Sequence, residues 1–99
     1  MSNILITVFT STYNRGYIIE KLYRSLKKQT SFNFEWVVID DGSTDNTKHL
    51  FEKWDKDNNE FNIRYFIVKN GGKPRAINKG LKLAKGKYFF MVDSDDYLT

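Results

Sequence analysis

Two short acidic stretches carry the residues best suited to chemistry. Asp93-Ser94-Asp95, with Asp96 next to it, closes one apolar run, and Asp40-Asp41-Gly42-Ser43 closes another. If the chain stays extended past Val92, alternation aims Asp93 and Asp95 to the same side. Two convergent carboxylates repel each other, and a divalent cation relieves that repulsion. Hard oxygen donors with no His or Cys beside them favour Mn2+ or Mg2+ over zinc. Mg2+ commonly takes one or two carboxylates and completes its shell with substrate phosphates. The plain alternative is a solvated strand end whose aspartates cap a helix. Asp41 also has two readings: an acceptor for the N–H or O–H groups of a nucleotide's base or ribose, or part of a loop that caps the next helix. Tyr13, at the tip of an apolar segment, is either a platform for a stacked base or an aromatic folded back onto the core. Gly71-Gly72 is a turn signal, and Lys73 and Arg75 just after it are cations suited to phosphate. His49, beside Leu50 and Phe51, reads as a surface or half-buried side chain rather than as a ligand or base.

These residues have to be positioned by regular elements. Ile4–Thr10, Glu35–Asp40, Ile63–Val68 and Lys87–Val92 are short apolar runs rich in β-branched and aromatic residues, and read as buried strands. Between them lie three helical patterns. Ile18, Ile19, Leu22, Tyr23 and Leu26 recur at three- and four-residue spacing, giving a helix from about residue 17 to 29. A second helix, capped by Ser43 or Thr44, buries Leu50, Phe51 and Trp54. A third spans Pro74–Ala84, with proline in its first turn and Ala76, Ile77, Gly80, Leu81 and Ala84 facing inward.

The order βαβαβαβ with right-handed crossovers predicts an α/β protein, a three-layer, Rossmann-like parallel sheet covered on both faces. If the winding reverses after the third strand, the strand order is 3-2-1-4. Ligands of such sheets sit beyond the carboxyl ends of the strands at the reversal. Ser11-Thr12-Tyr13-Asn14, Asp41, Asn70-Gly71-Gly72-Lys73 and Asp93–Asp96 would then share one crevice.

Composition narrows the function. With 99 residues the chain holds one domain at most. Its 40% hydrophobic and 28% charged residues are globular values. No cysteine is present, which excludes disulfides, thiolate metal sites and cysteine nucleophiles and suits a cytoplasmic location. No apolar run approaches the roughly 20 residues that span a bilayer, and Met1-Ser2-Asn3-Ile4 does not open a signal peptide. The net charge is +4, yet six of the twelve carboxylates sit in the two acidic stretches, at the proposed binding edge. A nucleic-acid binder keeps carboxylates off its binding face, so no nucleic-acid partner is expected.

The segments Ser11-Thr12-Tyr13-Asn14-Arg15, VVIDDGSTDNT (Val37–Thr47), NGGKPRAINKG (Asn70–Gly80) and AKGKYFFMVDSDDYL (Ala84–Leu98) resemble, in unbroken order, the start of a family 2 glycosyltransferase. The resemblance implies the GT-A fold, a nucleotide-diphosphate sugar as donor, a hydroxyl of a glycan or other acceptor as partner, and Mn2+ or Mg2+ as cofactor. It implies that Thr12 and Tyr13 line the nucleoside pocket with Asn14 and Arg15 beside them, and that Asp41 contacts the base. Lys73 and Asn78 would stand near the diphosphate or support its loop. Asp93-Ser94-Asp95 looks like the family's D-x-D motif, with Asp93 toward the ribose or diphosphate and both Asp93 and Asp95 as metal ligands, Asp95 the main one. Ser11 stands where many relatives have proline, and Ile77 where arginine is common, with Arg75 two positions earlier.

By the same resemblance the chain corresponds to the donor-binding part of such an enzyme. The acceptor-binding half and the catalytic base are expected beyond Thr99, so the 99 residues alone are expected to be inactive. Residues such as Phe89, Phe90 and Val92 are expected to lie at a poorly covered sheet edge that invites self-association. A full-length enzyme would be cytoplasmic or held at the inner face of a membrane. A rival reading is a non-enzymatic nucleotide-binding or receiver-like signalling module. Receivers place their acids after strands 1 and 3, whereas here they follow strands 2 and 4.

Overall fold

The computed structural model describes residues 4–29, 33–57, 60–69 and 73–93. Seven elements follow in the order β1 (Ile6–Thr12), α1 (Ile19–Lys27), β2 (Phe34–Asp40), α2 (Thr47–Asp57), β3 (Asn62–Ile67), α3 (Lys73–Leu83) and β4 (Tyr88–Met91). The sheet order is β3-β2-β1-β4 and every pairing is parallel. The expected α/β three-layer topology is the observed one.

Strand alternation sorts the core into two layers. Val8, Trp36 and Val38 face α1 and α2, where Ile19, Leu22, Leu26, Phe51 and Trp54 are buried against them. Phe9, Val37 and Ile39 point the other way, onto Ala76 of α3. The first layer is rich in aromatic rings. Tyr23 stacks on Trp54 at 4.2 Å between ring centroids, and Phe51 stacks on Tyr65 at 4.4 Å. Trp36, wholly buried, donates its indole N–H to Thr10 Oγ1 at 3.0 Å. On the second layer the helix lies close to the sheet because Gly80 has no side chain: a Cβ there would stand 2.2 Å from Phe9 Cε1.

Three local expectations change. α2 begins at Thr47, not after a Ser43 or Thr44 cap; Asp45 Oδ1 accepts from both the N–H and the hydroxyl of Thr47. Leu81 is half-exposed rather than inward, because the contact face of α3 runs through Ala76 and Gly80. On β4, Phe90 lies open as expected, and so do Tyr88 and Met91. Phe89, however, stacks on Phe9 at 5.4 Å, and Val92 is buried in the aromatic layer.

A polar cluster fastens the opposite end of the sheet. Glu35 is fully buried and accepts from Thr7 Oγ1 at 2.7 Å, from the Lys85 N–H at 2.7 Å and from Arg64 at 2.9 Å. Arg64 also donates to the Leu83 carbonyl at 2.7 Å, and the Gly86 N–H donates to Thr7 Oγ1 at 2.8 Å. One carboxylate thus ties β1, β2 and β3 to the end of α3. Burial by itself raises the Glu35 pKa, but the hydrogen bonds from Thr7, Lys85 and Arg64 outweigh it and hold the carboxyl below its usual range.

A depressed carboxylate pKa stabilises the fold above the unfolded value of about 4.3, and that stability is lost as pH falls through the folded value. Glu35→Ala leaves Arg64 partly buried without its partner and should cost roughly 3–5 kcal/mol at neutral pH. Urea midpoints followed from neutral to acid pH should show Glu35→Gln less stable at neutrality and flatter on the acid side.

Candidate functional site

The carboxyl ends of β1, β2 and β4 lie side by side because β1 sits between the other two. The Asp41 N–H donates to the Thr12 carbonyl at 2.9 Å, and the Val68 N–H donates to the Asp40 carbonyl at 2.8 Å, so the ladder continues into the loops. The Val92 N–H donates to the Phe9 carbonyl at 2.9 Å, which carries Asp93 to the same edge.

Asn14 locks the β1 and β2 loops together. It adopts φ 53°, a left-handed conformation that Asn tolerates better than most residues. Its amide oxygen accepts from the Thr44 N–H at 2.7 Å and the Asp45 N–H at 3.3 Å, while its own N–H donates to Ser43 Oγ at 2.8 Å. Asp45 adds a second tie by accepting from the Gly16 N–H at 3.0 Å. Burial raises the Asp45 pKa, but the Thr47 and Gly16 bonds outweigh it and the net shift is downward. Asp40, the first aspartate of the pair, is buried and accepts from the Ser43 N–H at 2.8 Å and from the Tyr65 hydroxyl. Burial first, then the neighbouring Asp40, pushes the Tyr65 phenol far above its usual range. Asp40 is therefore internal framework, while Asp41 faces outward.

The remaining candidate side chains surround this framework. Thr12 is buried at the end of β1, and its hydroxyl is the one buried side-chain polar atom among the described residues without a hydrogen-bond partner. Tyr13 is 46% exposed, a ring at the strand tip rather than in the core. Arg15 is exposed and donates to the Tyr17 hydroxyl at 3.0 Å, while its carbonyl accepts from the Ile18 and Ile19 N–H groups at the start of α1. Asp41 and Asn78 line one open groove of about 530 Å³ between the β2 and β3 ends and α3, with Val68, Lys69 and Arg75. Lys73 is the first residue of α3, and its side chain lies outside the described residues, as do Asp95 and Asp96. Asp93 is exposed.

The donor chemistry fits a hard cation. The described carboxylate at the β4 end is Asp93, the chain holds no cysteine, and its lone histidine, His49, lies 83% exposed on α2 beside Glu52. Among the described residues no group of three or more His, Cys, Asp or Glu forms a metal cage. Asp93 would need Asp95 and ligand oxygens to complete a shell. Among the same residues no helix is long and apolar enough to cross a membrane.

The sheet order, with its acidic ends at the reversal, is that of GT-A structures. S. aureus TarS in complex with UDP-GlcNAc is similar at TM-score 0.85 and 39% identity, over 94% of this chain and 27% of that one. The mannosyltransferase PcManGT from Pyrobaculum calidifontis, in complex with GDP-Man and Mn2+, is similar at TM-score 0.87 and 26% identity, over 96% and 28%. In sequence, the glycosyltransferase GlyG of Streptococcus pneumoniae is 37% identical over 92 residues, which are 93% of this chain and 30% of that protein. The putative teichuronic acid biosynthesis glycosyltransferase TuaG of Bacillus subtilis is 34% identical, over 93% and 36%. The chain thus spans about a third of those relatives' length. The profile of glycosyl transferase family 2 matches residues 7–99, and the chain belongs to that family.

The Asn14 lock gives a two-variant test. Asn14→Gly keeps the left-handed backbone and loses the side-chain bonds, at about 1–3 kcal/mol. Asn14→Ala loses the bonds and adds a backbone penalty of roughly 1–2 kcal/mol. Chemical denaturation should rank wild type above Asn14→Gly and Asn14→Gly above Asn14→Ala.

Proposed function

We propose that this chain binds a nucleotide-diphosphate sugar together with Mn2+ or Mg2+, as the donor-binding part of an enzyme that transfers the sugar to an acceptor hydroxyl. The convergence of Tyr13, Asp41 and Asp93 on one edge, at the point where the sheet reverses, carries this reading. Tyr13 offers an exposed ring for the base to stack on, and Asp41 an acceptor for the base's N–H groups. The unpartnered Thr12 hydroxyl has a donor and lone pairs to give a nucleoside. Arg15 and Asn14 edge the same pocket, Asn14 by holding the loop that presents Asp41. Arg75, Asn78 and Lys73 supply positive charge and hydrogen-bond donors for the diphosphate. UDP-GlcNAc and GDP-Man in the two similar structures support a nucleoside diphosphate as the common element.

Asp93 and Asp95 would hold the metal, whose charge steadies the diphosphate as it leaves the sugar. The carboxylates of this chain serve binding in this reading, and the acceptor's proton goes to a base outside them. Synthesis of a glycan or polysaccharide on the cytoplasmic side of a membrane is the wider role proposed.

Calorimetry with UDP and with GDP, each with and without Mn2+, tests the reading. One nucleotide should bind more tightly with metal present, because diphosphate oxygens complete the coordination shell. Tyr13→Ala and Asp41→Ala should each cost about 1–3 kcal/mol of that binding with the fold intact. Asp95→Ala should abolish the metal's contribution. Unchanged affinity in all three variants would refute the assignment.

A further inference from the structure

From Phe61 to Val92 the chain carries eight basic residues, Arg64 to Lys87, and not one acid. On α1 some charges pair: Arg24 with Glu20 at 2.8 Å, and Lys27 with Glu60 at 3.7 Å. On α3 they do not. Arg75, Lys79 and Lys82 are exposed and make no ion pair with any described residue. At spacings of four and three they share one flank of the helix. That flank, with Lys69 opposite, walls the open groove whose upper end holds Asp41.

At 1.5 Å per residue the row from Arg75 to Lys82 is about 10 Å long, and Lys82 stands about 13 Å along the axis from Lys73, the start of the helix. A diphosphate at the strand ends leaves Lys79 and Lys82 unused. An anion with charge distributed along its length would complement both cations at once.

We propose that the lower part of this groove, at Lys79 and Lys82, binds an acidic glycan, a linear chain of sugars bearing carboxylate or phosphate groups. The shape favours a chain: the groove as a whole is a concave trough of about 530 Å³, within the range of small-ligand clefts, not a flat face. Its floor is Val68 and Ala76, and among the described residues no aromatic side chain lines it. Nucleic-acid single strands are held by stacking on aromatic rings, which this groove does not offer. The inference goes beyond donor binding and does not depend on it, since it uses cations that the donor reading leaves idle.

Calorimetry on this protein with a short oligogalacturonate, beside neutral maltohexaose, tests it. The acidic oligomer should bind, weaken as salt rises, and lose at least about tenfold in affinity, about 1.4 kcal/mol, in Lys79→Gln/Lys82→Gln. The arginine pair Lys79→Arg/Lys82→Arg should keep it, and UDP affinity should be unchanged in both. Oligogalacturonate binding that is equal in the glutamine variant, or absent from the wild type, overturns the proposal. So does tighter Lys79- and Lys82-dependent binding of oligo-dT, poly-glutamate or phosphatidylglycerol vesicles. Loss of UDP binding with the lysine-dependent glycan binding intact would count against the donor site alone and leave this inference standing.

Discussion

β1 is hydrogen-bonded along both edges, to β2 from Ile6↔Phe34 through Thr12↔Asp40 and to β4 from Ile6↔Tyr88 through Phe9↔Met91. That double pairing is the constraint on which the proposed binding edge depends. A parallel strand carries its neighbours in the same direction, so three loops that begin after residues 12, 40 and 91 must emerge together. Were β4 to pair beside β3 instead, two whole strands would separate Asp93 from Thr12 and Tyr13. The winding reversal therefore matters for the proposed site, because it brings Tyr13, Asp41 and Asp93 to one edge of the sheet.

The two ends of the sheet are held by different means. At the amino end a buried carboxylate, Glu35, gathers Thr7, Arg64 and the Lys85 N–H, so the return from α3 into β4 enters at one register. At the carboxyl end the ties run through Asn14, Asp40 and Asp45, each accepting N–H groups from loop backbone. The Asn14 and Asp45 ties lie nearer the surface and Asp40 is buried, and together they fix the loops that present Tyr13 and Asp41. A site built on loops gains its precision from these bonds. The hydrophobic layers set where the loops start, and the polar ties set where they point.

Much of this was legible in the amino-acid order. Four apolar runs punctuated by Asn-Arg-Gly, Asp-Gly and Asn-Gly-Gly announced strands and turns, and crossover handedness then left few topologies. The aspartates were visible as candidates because each follows an apolar run. What stayed hidden depends on partners distant in sequence. Glu35 opens the run EWVVID, and nothing within that run marks it as the hub of a buried polar cluster. Its burial is set by Thr7, Arg64 and Lys85, which stand 28, 29 and 50 residues away. Asn14 looked like a binding residue, and its φ above zero, which an Asn two places before Gly16 could have suggested, gives it a framework role as well. The α2 start was misplaced by several residues because Ser43, Thr44 and Asp45 are all competent caps, and the choice among them is made by Asn14 and Gly16 across the loop.

The account's central claim is that a nucleoside diphosphate enters at the carboxyl ends of β1, β2 and β4. Backbone amide shifts measured by NMR during titration with UDP or GDP and Mg2+ test this most directly. The account predicts shifts at Tyr13, Asp41, Asn78 and Asp93, with Thr7, Glu35, Lys85 and Gly86 at the far end of the sheet unmoved. Shifts concentrated at the Glu35 end, or none at saturating nucleotide, would contradict it.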